Sequence, residues 1–463
     1  MTKRNRVEKE DNPNIQTKSM EELKSTRLSM LALCFGAMVF IFLLQITVIG
    51  DKIIWNVKLR TKLSICRWVP DGNVNGSAAA ITCDYSNKEY DLCTINGSTL
   101  LDPTSSTIYA VDPHTQNKSH TPLKFRPYPR KSDKVAMSFV KELNLIVAQP
   151  KLSCNVTHHT PALVFSAAGY TGNHYHEINE IFIPLFITIN KLFSNQDVTL
   201  VVTEGKMWWF QKYAELLAAF SPHRSIIDAN NLSTVHCFPS ATLGLMKHGP
   251  MMIDPKLLVG NPKTLIDFRA FLGKVYSKLG TPFMYPKREK PQLTLISRSA
   301  SRVIMNEEEV IKVAEELGFI VHVFEASRST PMRKVYGVVH GSDVLLGVHG
   351  AGLTNFLFMR KGSVLVQVVP IGLEWVSTTY YEKPPKYLGV EYLEYKIEVN
   401  ESSLLQKYGA DSLVVKNPSA FQTKWPQKRL HWTHQNVTID IPRFRNCLIK
   451  AHEKANIFIT KVN

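Results

Sequence analysis

The chain has 463 residues, 44% hydrophobic and 20% charged, which excludes a disordered chain and a single small domain and predicts two or three domains. Its formal charge is +16. Residues 1–27, with seven Lys/Arg and five Asp/Glu, carry only +2 of it and leave +14 for the rest. That excess predicts an anionic ligand; no basic run with interleaved aromatics occurs, so phosphorylated or uronic-acid-bearing substrates are favoured over nucleic acid.

Residues 28–50, "LSMLALCFGAMVFIFLLQITVIG", hold no charge over 23 positions. At about 1.5 Å per residue that spans a bilayer core of about 30 Å. A cleavable signal peptide would start nearer the N-terminus and end in a small-x-small site, whereas here Lys24 and Arg27 flank the span behind a polar 27-residue tail. The expectation is a type II signal anchor with a cytosolic tail and a luminal remainder. Seven N-x-S/T acceptors, at Asn75, Asn96, Asn117, Asn155, Asn231, Asn400 and Asn436, all follow the span. Of seven cysteines, Cys34 lies in the span, leaving six for an oxidising lumen, with Cys83 and Cys93 as the local pair.

Residues 51–125 are rich in Asn, Ser, Thr, Asp and Gly and read as a stem with a disulfide-pinned, loop-rich lead-in. Regular alternation begins at "LVFSAAGY" (163–170) and continues through "DVTLVVTEG" (197–205), "KYAELLAAF" (212–220), "PQLTLISRS" (291–299), "NEEEVIKVAEELGF" (306–319), "IVHVFEA" (320–326), "DVLLGVHG" (343–350) and "GSVLVQVVP" (362–370). Strands alternating with helical segments predict two parallel α/β units, bridged by residues 254–276.

Two stretches carry the chemistry. In "LLGVHGAGLTNFLFM" (345–359) a strand delivers His349, and Gly350-Ala351-Gly352 turns into a helix whose first turn holds Thr354 and Asn355. Ligands of open α/β sheets sit at the carboxyl ends of strands, where free N–H groups favour a diphosphate; packing glycines in a tight turn are the alternative. In "SAAGYTGNHYHEINEIFIPLF" (166–186) a glycine turn opens a helix near His174, on which His176, Asn179 and Glu180 share a face at i, i+3, i+4, with Glu177 beside them. This cluster offers a general base from His176, Glu177 or Glu180, or else is a solvated helix end. Glu177 is the expected base, with Glu180 orienting its neighbours. Arg298 after "LTLIS" could pair with a diphosphate. "EGKMWWF" (204–210) places two tryptophans suited to stacking on sugars or to a core, "PIGLEWVSTTYY" (370–381) places Glu374 and Trp375 after a strand, and "KFRPYPRK" (124–131) reads as a basic connector. No two aspartates are separated by one residue, so a D-x-D metal–diphosphate motif is absent, and no metal ligand set is expected.

With these motifs in order, together with "THHTPALVFSAAGYTGNHYHEINEIFIPLFIT", "VHCFPSATLGL", "LTLISRSASR", "VHGAGLTNFLFM", "YLEYKI" and "QNVTIDIPRF", the chain over roughly residues 120–450 resembles the plant family-61 glycosyltransferases acting on xylan. It departs at Ala168, where relatives often carry Gly, and at Ser299, where Lys or Arg often follows the arginine. The resemblance implies an α/β GT-B-like fold: a cytosolic tail (1–27), a transmembrane anchor (28–50), a stem (51–125), and two Rossmann-like domains facing a cleft. These would be an acceptor domain (126–275) and a UDP-sugar domain (276–463) whose last helix packs back on the first. It implies a Golgi enzyme that inverts a UDP-pentose donor onto xylan or xylo-oligosaccharide, with no required cofactor beyond stimulation by a divalent cation. Oligomers of itself or with other xylan-synthesis enzymes are the implied protein partners. His349, Gly350, Ala351, Gly352, Thr354, Asn355, Arg298 and Glu374 would hold the donor. β-1,2-xylosyl transfer from UDP-xylose is preferred, with α-1,3-arabinofuranosyl transfer or N-glycan core xylosylation as enzyme alternatives and a glycan-binding scaffold as the non-enzyme one.

Overall fold

The computed structural model describes residues 80–113, 115, 121–223, 226–277, 289–418 and 434–462. The 28–50 segment, Cys66, Asn75 and Asn117 lie outside these residues. Among the described residues no helix is long and apolar enough to cross a membrane.

The described chain is an α/β structure with two sheets. In the first, β4 (Leu123–Phe125), β5 (Leu143–Ala148), β3 (Thr107–Val111), β2 (Leu92–Asp102), β10 (His236–Leu243), β7 (Ala162–Ser166), β8 (Thr199–Thr203) and β9 (Ile227–Asp228) follow one another across the sheet. β1 (Ala80–Asp84) pairs with β2, and β6 (Val156–Thr157) pairs with β10. The strands β10, β7, β8 and β9 run parallel, while β2 is antiparallel to β1, β3 and β10. Every residue of β7 and β8 is buried, as apolar runs covered on both faces must be. The lead-in expected to be loop-rich therefore supplies β1–β4 from residue 80 onward. Its strands were hidden because their polar members alternate out to solvent, as in β1, where Ala80, Thr82 and Asp84 are exposed.

The second sheet is entirely parallel, in the order β12 (Ile320–Phe324), β11 (Gln292–Ile296), β13 (Val344–Val348), β14 (Val364–Val369), β15 (Glu391–Lys396). Counted along the chain this is 2-1-3-4-5, a doubly wound order whose switch point falls between β11 and β13. One hydrophobic cluster joins the two halves: Phe182, Trp209, Tyr213 and Phe268 from the first pack in it with Ile296, Val339, Leu345 and Phe356 from the second. Trp209 is thus a core residue, not a sugar platform.

The last helix, Ile441–Val462, was expected on the first domain. It lies instead on the second sheet, because Phe444, Leu448, Ala451 and Ala455 form one apolar stripe that packs with Val364, Val366 and Val313. Cys83 and Cys93 are bonded across the β1–β2 pair, and Cys154 bonds Cys237 on β10. Cys447 is a free thiol, half-buried in the last helix. Asn96, Asn155, Asn231 and Asn400 are exposed. Asn436 is half-buried, its Oδ1 accepting from the Val303 N–H at 3.1 Å.

Candidate active site

A cavity of about 620 Å³ opens between the loop after β7 and the loops after β11, β12 and β13. All four loops leave the carboxyl ends of their strands, and the β11–β13 pair is the switch point, where a ligand of an open α/β sheet is expected. Four cationic side chains line it: Lys212, Arg298, Arg302 and Arg328. Among the described residues Glu325 is the one carboxylate in the same wall, and it accepts from both the N–H and the hydroxyl of Ser299. The cavity is built for an anion.

The arginines are set by the turns beneath them. Arg298 Nε donates to the Ser301 carbonyl at 2.7 Å, and Arg302 holds φ at +56°, a region uncommon for residues with a side chain. Both guanidinium groups press on Gly350: a Cβ there would stand 2.9 Å from Arg298 Nη1 and 3.3 Å from Arg302 Nη1. The glycine thus keeps the charges against the backbone of the β13 turn.

His349 and Gly350 stand behind the cavity wall; among the described residues Ala351, Gly352 and Asn355 are the members of that turn that line it. His349 Nδ1 lies 2.8 Å from Gln367 Nε2 and 3.0 Å from Ser377 Oγ, and Tyr392 donates to Gln367 Oε1. With its oxygen taken by Tyr392, Gln367 presents its amide N–H to His349, so Nδ1 accepts and Nε2 carries the ring proton. Burial, with the charges of Arg302 and Arg298 adding to it, pushes the His349 pKa down to about 3. It is a neutral imidazole whose Nδ1 ties the turn to Gln367 and Ser377.

Asn355 keeps its place on the cavity wall with its amide partly committed, and the expectations for Thr354 and Glu374 are corrected. Asn355 Oδ1 lies 3.1 Å from His174 Nε2 and its Nδ2 donates to Gly352 O, so its amide ties the two halves together. Thr354 is fully buried, 3.3 Å from the Tyr381 hydroxyl. Glu374 is exposed on helix Glu374–Ser377, outside the cavity wall.

The opposite wall opens on the turn 169–173. Gly169, at φ +64°, lets the chain close on Tyr128, whose ring a Cβ would meet at 2.4 Å. The helix that follows is α-helical over His174–His176, π-helical over Glu177–Phe182 and α-helical again over Ile183–Leu192. The π turn has a local cause. Pro184 has no N–H for the Glu180 carbonyl, and Ile183 donates five residues back to Ile178.

Within this turn His176 Nδ1 lies 2.6 Å from Glu180 Oε2. Glu180 is fully buried and also accepts from Arg130 Nη1 at 2.7 Å and Asn179 Nδ2 at 2.8 Å, with Lys247 Nζ at 3.7 Å. Burial alone would raise its pKa, but His176, Lys247 and Arg130 hold it down to about 2. An ionised carboxylate can only accept, so Nδ1 of His176 carries the proton and Nε2 is the basic nitrogen. His176 lines the cavity, and with Nδ1 committed to Glu180 the nitrogen left to the cavity is Nε2.

Glu177, the expected base, turns the other way. It is 2% exposed, its Oε1 accepts from the Gly172 N–H at 3.1 Å, and its Oε2 accepts from the Tyr213 hydroxyl. Burial opposes its ionisation, yet His174, Tyr213 and the Gly172 N–H hold its pKa below the ordinary value. It pins the glycine turn. Sequence reading missed Arg130 and Lys247. The basic segment 124–131, read as a connector, carries Arg130 to Glu180, and its only local signal was that charge.

The profile of the family described as Glycosyltransferase 61 matches residues 139–366. Among curated proteins, xylan glycosyltransferase MUCI21 of Arabidopsis thaliana is 36% identical over 400 residues, covering 81% of this chain and 80% of that protein. Alpha-1,3-arabinosyltransferase XAT3 of Oryza sativa subsp. japonica is 35% identical over 382 residues, covering 81% of this chain and 65% of that protein. Beta-1,2-xylosyltransferase XYXT1 of the same rice is 31% identical over 394 residues, covering 80% of this chain and 83% of that protein.

Proposed function

Since the chain belongs to the glycosyltransferase 61 family and is a glycosyltransferase, we propose that it moves a pentose from a UDP-sugar onto the β-1,4-xylan backbone with inversion. The observation that carries the reading is a four-cation cavity at a sheet switch point with a histidine–carboxylate dyad on its facing wall. The diphosphate lies against Arg298 and Arg302 on the turn that His349 and Gly350 support, and the pentose points to His176. The acceptor oxygen forms its bond to the anomeric carbon as the bond to UDP breaks. The hydroxyl proton goes to His176 Nε2, and the electron pair leaves on the β-phosphate oxygen, where the arginines stabilise it. Glu180 keeps the ring oriented and steadies the imidazolium that forms.

UDP-xylose and a β-1,2 linkage are the preferred donor and product. α-1,3-Arabinofuranosyl transfer is the second reading, supported by the 35% identity to the rice arabinosyltransferase. The uncharged 28–50 segment, with Lys24 and Arg27 before it, supports a type II Golgi anchor with a luminal catalytic part. The full chain, purified in detergent, is to be incubated with each UDP-pentose and xylo-oligosaccharides, with and without EDTA. Pentosylated xylan is expected, largely unchanged by EDTA because fixed cations meet the diphosphate. No product from any UDP-pentose would overturn the reading.

Arg298→Ala removes a charge-assisted contact of about 1.5–3 kcal/mol, so UDP affinity is expected to fall about 10–150-fold. Calorimetry with UDP reads this directly, and an unchanged affinity would place the diphosphate elsewhere.

A further inference from the structure

Trp375 is 70% exposed, on the short helix Glu374–Ser377 after β14. An indole presents a large apolar face with one polar edge, and this one continues a series of rings that ends at the dyad. Its centroid is 6.1 Å from that of Tyr380, edge-on; Tyr380 is 4.7 Å from Tyr175, and Tyr175 is 5.3 Å from His176, again edge-on. The series crosses between the halves of the molecule, since Tyr175 stands on the helix after β7 and Tyr380 on the wall after β14. A π turn follows the series on each side, Glu177–Phe182 after His176 and Thr378–Glu382 after Trp375. Tyr380 lies in a second π turn, Thr378–Glu382, in which Lys383 donates back to Thr378 and Pro384 stands two residues past the turn, as Pro184 does in the first.

We propose that Trp375 and Tyr380 form the platform on which an extended β-linked pyranose chain, the acceptor, lies while one of its sugars is presented to His176. This rests on the transferase reading above. The chemistry selects the occupant. The cavity with four cations suits the anionic donor, whereas the exposed Trp375 and the half-buried Tyr380 offer π faces, which attract the C–H faces of neutral pyranoses through the ring quadrupole. Trp375 stands at the end of the series away from His176, so it meets an acceptor residue remote from the reacting one.

The test uses the full chain with xylobiose and xylohexaose as probes. In Trp375→Ala, the calorimetric affinity for xylohexaose is expected to fall about tenfold, and its KM to rise to match, at unchanged kcat. Xylobiose turnover and UDP affinity should stay as in the wild type, and Trp375→Phe should recover most of the loss. Equal xylohexaose binding by Trp375→Ala and wild type would overturn the platform while leaving pentose transfer intact. A wild-type dimer in sedimentation that Trp375→Ala dissolves, with xylohexaose binding unchanged, would overturn it in favour of self-association. Transfer is read separately: a wild type that binds xylohexaose through Trp375 but transfers no pentose would sink the transferase reading and keep the platform. A wild type that does neither would remove both.

Discussion

Replacing His176 with alanine is expected to slow pentose transfer by about 10²–10⁴-fold, the usual loss when a general base is removed, with UDP affinity unchanged. The residue earns this role by three features at once. It lines the cavity, its Nδ1 is fixed by Glu180 at 2.6 Å, and its other nitrogen therefore holds the lone pair. Glu177 has none of these, because its two oxygens are spent on Gly172 and Tyr213. Glu177→Gln is therefore expected to keep most of the transfer rate, since a glutamine carbonyl can still accept from the Gly172 N–H. Steady-state rates of the two variants with one UDP-pentose and one xylo-oligosaccharide decide the matter. A fast His176→Ala enzyme beside a dead Glu177→Gln enzyme would reverse the assignment.

The second large effect is on stability. Glu180→Gln is expected to destabilise the fold by about 3–5 kcal/mol at neutral pH, since removing one partner of a buried ion network strands the others. The lower end is favoured here, because Asp133 still reaches Arg130 at 2.8 Å and Glu89 still reaches Lys247 at 3.6 Å. The effect has a pH signature. The folded-state pKa of Glu180, about 2, lies below the ordinary 4.5, so its contribution is fully present above 4.5 and is lost as the pH falls towards 2. Denaturant midpoints of the wild type and Glu180→Gln should differ most above pH 4.5 and converge below it. A constant difference down to pH 2 would show that the charge of Glu180 is not what stabilises the site. Transfer should drop in the same variant, because an amide holds the imidazole less firmly and does not stabilise the imidazolium.

The sequence by itself determined those features whose causes are local. Buried parallel strands are short apolar runs, so β7, β8, β11, β13 and β14 were legible, as were the exposed edge strand β12 and the helix face that pairs His176 with Glu180 four residues on. Cys83 and Cys93 are ten residues apart and were paired correctly, whereas Cys154 and Cys237 are 83 apart and nothing local joins them. The order of motifs also sufficed for the family, which the 139–366 match bears out. Only the tertiary structure decided what the clustered residues do. The strands β1–β4 hold polar residues among their apolar ones, and they join the main sheet where β2 meets β10. That His176 lines the cavity while Glu177 does not depends on distant partners, since Tyr213 takes Glu177, and Arg130 and Lys247 reach Glu180, 36 to 67 residues away. His349 moved from ligand contact to support because Gln367 and Ser377 close over it. Spacing along a chain places side chains on a common face; which of them meets water, a buried charge or a ligand depends on the elements packed across from that face.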